Sequence, residues 1–172
     1  MDLLETKGTV PRQDKLNMGD MRKTVGIIGF GNMGSAIAEQ IRVRYQLFVF
    51  DKDKEKTRNL SAIGIADNIL DLVNKVDTLI LAVKPQDFDT ALNEIKPYAK
   101  DKLVISIAAG ITTRYIETRV GHAPVVRAMP NTAARVGQAV TAIATGRWAR
   151  RSDVTLAHAV FQAVGETVDV PE

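Results

Sequence analysis

The clearest chemistry in this chain is written in six residues, Gly29-Phe30-Gly31-Asn32-Met33-Gly34. Glycines at this G-x-G-x-x-G spacing suit a bound pyrophosphate, and each has its own physical reason. Gly29 permits a tight turn, Gly31 lets the phosphates approach the backbone, and Gly34 lets a helix pack closely on a strand. The N–H groups and positive dipole end of the helix that follows then hold the anion. Alone the motif is weak evidence, but here it follows the apolar run Thr24-Val25-Gly26-Ile27-Ile28 and opens a helical pattern. The plain alternative is a glycine-rich turn with no ligand.

Asp51 stands 20 residues beyond Gly31, at the end of a second apolar run. An acid there can accept hydrogen bonds from an adenosine ribose, which favours NAD and repels the 2′-phosphate of NADP. Lys52, Lys54, Lys56 and Arg58 crowd the same segment and could neutralise such a phosphate. Interleaved with Asp53 and Glu55, they read equally as the solvated face of a helix. The choice between NAD and NADP stays open.

Three further segments fall at the carboxyl ends of expected strands, the rim where open α/β sheets bind ligands. They are Ala82-Val83-Lys84-Pro85, Ser106-Ile107-Ala108-Ala109-Gly110 and Arg127-Ala128-Met129-Pro130-Asn131-Thr132. The small residues of the second would let a flat nicotinamide ring lie against backbone. Lys84 reads as an acid catalyst or, more simply, as a solvated lysine before a helix. The Asn131 amide could bond a carboxamide or shape its own turn.

The elements that must hold these residues alternate β-branched runs with helical patterns, the signature of a parallel sheet. Strands are expected over residues 24–29, 47–50, 64–66, 78–83, 103–107 and 125–128. Helices are expected over residues 32–44, 52–61, 68–75, 85–98 and 112–120, with Pro85 placed to open the fourth. A strand over 139–144, a helix over 152–164 capped by Ser152, and a strand over 166–170 complete the pattern. The fold class is α/β, a Rossmann-type doubly wound, mostly parallel sheet with an added strand–helix–strand.

Composition sets the outer bounds. The chain has 172 residues, 45% of them hydrophobic and 25% charged, enough for a real core. No apolar run approaches the roughly 18 residues that span a bilayer, so no membrane partner is expected. The absence of cysteine excludes disulfides, thiolate metal sites and cysteine nucleophiles. His122 and His158 pair with no useful partner and are read as packing or surface residues, with no metal site. A net charge of +3 and the segment Gly146-Arg147-Trp148-Ala149-Arg150-Arg151, with a single aromatic, do not make a nucleic-acid surface. Residues 1–22 are polar, lack an apolar period and carry no secretory signal; they read as a flexible extension before a dinucleotide-binding domain over 23–172. The compartment expected is the cytoplasm. The stop directly after an expected strand is abrupt, which suggests that something further belongs after it.

At the glycine motif, at Ala82-Val83-Lys84-Pro85-Gln86, at the segment 106–110 and at the segment 127–132 the sequence resembles the pyrroline-5-carboxylate reductase family. The likeness runs from about Arg22 to the end of the chain. It implies NAD(P)H-dependent reduction of a small cyclic imine, 1-pyrroline-5-carboxylate, to proline. It also implies that Ile28, Gly29, Phe30, Gly31, Asn32 and Met33 bind the pyrophosphate. By the same likeness Asn68 contacts the nucleotide, and Ala82, Val83, Lys84, Pro85, Ile107, Ala108 and Ala109 line the cofactor. Gly34 is often alanine in the family, a departure expected to change little, whereas Asp51 is less expected in an enzyme that commonly uses NADPH. Members of the family are homo-oligomers, built through a helical second half that also supplies most substrate contacts. That half has no counterpart here, so no catalytic side chain carries over, and weak self-association is the remaining expectation.

Overall fold

The computed structural model describes residues 23–172; the expected extension over 1–22 lies outside them. Eight strands form one sheet: β1 (Thr24–Ile28), β2 (Gln46–Phe50), β3 (Gly64–Ile65), β4 (Thr78–Leu81), β5 (Leu103–Ser106), β6 (Val125–Pro130), β7 (Ala139–Thr145) and β8 (Gly165–Asp169). Their order is β3-β2-β1-β4-β5-β6-β7-β8. The chain winds outward from β1 to β3, then returns past β1 to β4 and continues the other way. Strand order therefore reverses between β1 and β4, where such sheets open a crevice at their carboxyl ends. Strands β1 to β6 are parallel, β7 runs antiparallel to β6, and β8 is parallel to β7.

Alternation along each strand sends side chains to two cores. Val25, Ile27, Ile80, Ile105 and Val126 face one side, which α1 (Asn32–Ile41) and α5 (Arg151–Gln162) cover with Ile37, Ile41, Val160 and Phe161. Ile28, Leu79, Leu81, Val104 and Val125 face the other, covered by α2 (Ile69–Lys75), α3 (Pro85–Ile95) and α4 (Thr113–Val120). Helix α3 contributes the fully buried Leu92 and Ile95, together with Phe88.

Several expectations need correction. The charged segment 52–61 is no α-helix; Lys54–Lys56 forms a 3-10 helix, and a turn over 57–59 follows. The Asp51 carboxylate accepts from the Asp53 N–H at 2.8 Å, and Asp53 accepts from the Glu55 N–H at 3.2 Å. Such local side-chain bonds compete with the helical ladder, and no apolar face is present to favour it. Ser152 does not cap α5: the helix starts from Arg150, whose N–H is held by Asp153 at 2.7 Å. An unforeseen 3-10 helix, Thr132–Val136, follows β6 and is tied to α1 by a bond from Gln40 to the Arg135 carbonyl at 3.3 Å.

His122 packs as expected, but His158 corrects the expectation that neither histidine has an acidic partner. His122 meets Trp148 edge-on with ring centroids 4.2 Å apart. His158 bridges α5 to β8, with Nδ1 2.8 Å from Thr167 Oγ1 and Nε2 2.9 Å from Asp169 Oδ1. No described helix is long and apolar enough to cross a membrane.

Candidate functional site

The glycine segment runs from the end of β1 into α1. Gly29 has φ +97°, and a Cβ there would lie 2.6 Å from the Ala82 carbonyl oxygen. Only glycine meets both demands. A Cβ on Gly34 would run into the Gly29 carbonyl oxygen. The alanine that the family resemblance allows at Gly34 therefore does not fit this backbone without a shift. Gly31 is different: its φ of −80° is open to any residue, and a Cβ there meets nothing within 4 Å. The protein itself has no need of glycine at that position.

Gly31 is also the N-cap of α1, and no side chain caps that helix. Helix α3 likewise starts from Lys84 without a side-chain cap, with Pro85 in its first turn. By contrast, Asn68 caps α2 by accepting from the Asp71 N–H at 2.8 Å, and Thr112 caps α4 through the Tyr115 N–H at 3.1 Å. The starts of α1 and α3 both face the crevice at the switch point; Asp87 already sits in the first turn of α3, whereas α1 has no acid there and its N–H groups and dipole end favour an anion.

Between them lies a cleft of about 280 Å³. Ile28, Gly29, Gly31, Asp51, Ala82, Val83 and Lys84 line it, as the sequence leads one to expect. Phe30, Asn32, Met33 and Gly34 belong to the loop and helix behind that lining. Ile107, Ala108 and Ala109 follow β5 one strand further along the rim, where Ser106 Oγ accepts from the Ala108 N–H at 3.3 Å. Asn131 sits after β6 and uses its Oδ1 on the Ala133 N–H at 3.2 Å, so it shapes its own turn. Asn68 is occupied as a cap, next to Ile69, which does line the cleft.

The far wall was not foreseen. Gln86, Thr90 and Glu94 of α3 line the cleft as a stripe four residues apart. That spacing, polar at i, i+4 and i+8, is a readable signal of one exposed helix face. Lys52 spans the opening, with Nζ 2.7 Å from Asp87 Oδ1. A second, shallower groove of about 550 Å³ lies beside Trp148 and His122, away from the switch point.

Asp51 is nearly buried, at 8% exposure. Its Oδ2 accepts from the Phe30 N–H at 2.6 Å and its Oδ1 from the Asp53 N–H at 2.8 Å. Lys56 Nζ lies 3.2 and 3.3 Å from the two oxygens. Burial pushes the carboxyl pKa up, but the two backbone donors and then Lys56 outweigh it and hold the group below its ordinary value. Asp51 thus ties the end of β2 to the glycine loop.

A family model described as NADP oxidoreductase, coenzyme F420-dependent, matches residues 24–110. The chain belongs to this family. As a member, it is similar to the pyrroline-5-carboxylate reductase of Methanosarcina acetivorans, 39% identical over 159 residues that cover 86% of this chain and 58% of the relative. The Synechocystis enzyme of the same name is 34% identical, again over 86% of this chain and 58% of its own length. The chain spans less than two thirds of the length of these curated relatives. Among solved structures, pyrroline carboxylate reductase of Plasmodium falciparum with NADP bound has 28% identity and a TM-score of 0.81, covering 88% of this chain and 59% of that one. Prephenate dehydrogenase from A. aeolicus, at 16% identity and TM-score 0.74, shows the shared Rossmann-like fold alone.

Proposed function

We infer that this chain is the nicotinamide-dinucleotide-binding part of a reductase that converts 1-pyrroline-5-carboxylate to L-proline. One observation carries the reading: of the three motif glycines, Gly31 alone is free of any demand from the protein, and the space its side chain would fill opens on an uncapped helix start. A pyrophosphate supplies the missing reason for glycine there. In this reading Ile28 to Gly34 hold the pyrophosphate, with Asp51 and Asn68 on the adenosine side. Val83, Lys84, Pro85, Ile107, Ala108 and Ala109 bound the nicotinamide side, with Asn131 beyond them. The bound dinucleotide would supply the hydride that reduces the imine carbon.

The chain's own contribution is orientation and exclusion of water along the rim, the kind of alignment worth up to about 7–11 kcal/mol when complete. Solubility in the cytoplasm and a small-molecule imine substrate accompany the reading. A second reading is a nucleotide-binding module without turnover, which the open space at Gly31 and the cleft lining fit equally. An assay with the imine and reduced cofactor separates the two: turnover supports the reductase, and nucleotide binding without turnover supports the module.

The site itself is tested by Gly31→Val. The variant should still fold, at a cost of about 1 kcal/mol for valine at the N-cap, because its Cβ meets no atom within 4 Å, yet lose dinucleotide binding by calorimetry. Unchanged affinity in the folded variant would refute the pyrophosphate assignment.

A further inference from the structure

Helix α4 begins under two caps. Thr112 takes the Tyr115 N–H, while the Thr113 N–H donates to the Glu172 carboxylate, 59 residues away, at 2.8 and 3.0 Å from its two oxygens. The buried Thr113 hydroxyl also donates to Glu172 Oε2, at 2.6 Å. The same carboxylate faces Arg127 of β6, whose Nη1 lies 3.5 Å from Oε1. Arg127 alternates with Val125, which belongs to the core under α2 to α4, so its side chain rises toward α4. Val170 still donates to the Ile143 carbonyl of β7 at 2.9 Å, so Pro171 and Glu172 alone carry the chain across to β6 and α4. Segment 107–112 joins β5 to that first turn. Its near end is held by the Ile107 N–H on the Leu81 carbonyl at 3.2 Å and by the Ala108 N–H on Ser106 Oγ at 3.3 Å. Gly110, at φ +74°, turns the chain between this anchor and the Glu172 contact.

We propose that Glu172 is a positioning residue: by clasping Thr113 of α4 to Arg127 of β6, its carboxylate fixes segment 107–110 against the nicotinamide half of the dinucleotide. The proposal rests on the dinucleotide reading above, in which that segment bounds the nicotinamide side and Asp51 the adenosine side. Two consequences separate it from plain stabilisation. Loss of the clasp loosens the nicotinamide half and leaves the adenosine half as it was, because no residue of α4 lines the cleft beside Asp51. Thr113 and Glu172 also act as one unit, so once the carboxylate is gone the hydroxyl has nothing further to lose.

The test compares the chain with its Glu172→Ala, Glu172→Gln, Thr113→Val and Thr113→Val/Glu172→Ala variants. In hydrogen exchange of the ligand-free chain, Glu172→Ala should release the Thr113 amide and those of 107–112 about tenfold faster, as for one lost charge-assisted hydrogen bond, with β1 unchanged. Titration with NADPH or NADH should raise the nicotinamide fluorescence in the parent. Glu172→Ala should lose most of that rise and bind both more weakly, while 5′-AMP binds as in the parent. Glu172→Gln keeps an acceptor for Thr113 but no charge for Arg127 and should fall between, and the double variant should match Glu172→Ala. Exchange at the parent's rate, equal weakening of 5′-AMP and the reduced dinucleotides, or additive effects in the double variant would overturn the positioning role and leave the dinucleotide site standing. A parent chain that binds none of the three ligands would remove that site, and with it what Glu172 positions.

Discussion

Replacing Asp51 by Asn keeps the size of the side chain but takes away one acceptor and the charge. The amide would then set an N–H₂ group against the Phe30 or Asp53 N–H, or against Lys56, which costs about 1–3 kcal/mol for a buried polar group left unmatched. The pH dependence follows from the direction of the shift. Because the native pKa is lowered from 3.8, the carboxylate's contribution is complete above that value and is lost as pH falls through the lower native pKa. Urea midpoints of parent and Asp51→Asn should therefore differ at neutral pH and converge in acid; a constant difference across the titration would show that ionisation of Asp51 does not matter. The place of this residue was legible, since a strand ending 20 residues past Gly31 puts an acid at the rim. Its partners were not, because which way a carboxylate turns is decided by N–H groups that no side-chain letter records.

Helix α1 and strand β1 meet at Gly34 with no room to spare, and this sets an expectation opposite to intrinsic propensity. In an exposed helix Gly→Ala stabilises by about 0.8–1.0 kcal/mol. Here Gly34→Ala should destabilise, by about 1–3 kcal/mol as for overpacking, because its Cβ meets the Gly29 carbonyl. Chemical denaturation measures it, and a gain in stability would show that the loop yields freely. The elements built from doubly buried strands were readable because β1, β4 and β5 are apolar on both faces. The segment after β2 was misread because its charge pattern fits helical spacing, while Asp51 and Asp53 bind their neighbours' N–H groups instead. The cleft's wall on α3 went unread for a related reason. Gln86, Thr90 and Glu94 look like any solvated stripe until the strand order brings them against the switch point.

Among the described residues, the added β7–α5–β8 unit is covered on the α5 side and exposed on the other. Ala139, Thr141 and Ile143 are buried on the α5 side of β7, while Val140 on the alternate face is 50% exposed and Val168 of β8 is 47% exposed. Val164 is fully buried, and Val140 joins Val168 and Val170 in an exposed apolar patch. This patch should draw copies of the chain together at high concentration. Sedimentation velocity over a concentration series should show a rising weight-average coefficient, abolished in Val140→Lys/Val168→Lys; a constant monomer value would dismiss the patch as an association surface. The borders of the sheet differ as sharply as its faces. On one side the last strand is the two residues Gly64–Ile65, and on the other it is five residues, strapped from behind by His158 to Thr167 and Asp169. Two residues give an incoming strand too few backbone groups to copy, so among the described residues β8 is the edge that offers amyloid-like templating a start. There Glu166 and Asp169 would stack like charges with every added copy, and the same strand that offers the template also opposes its growth.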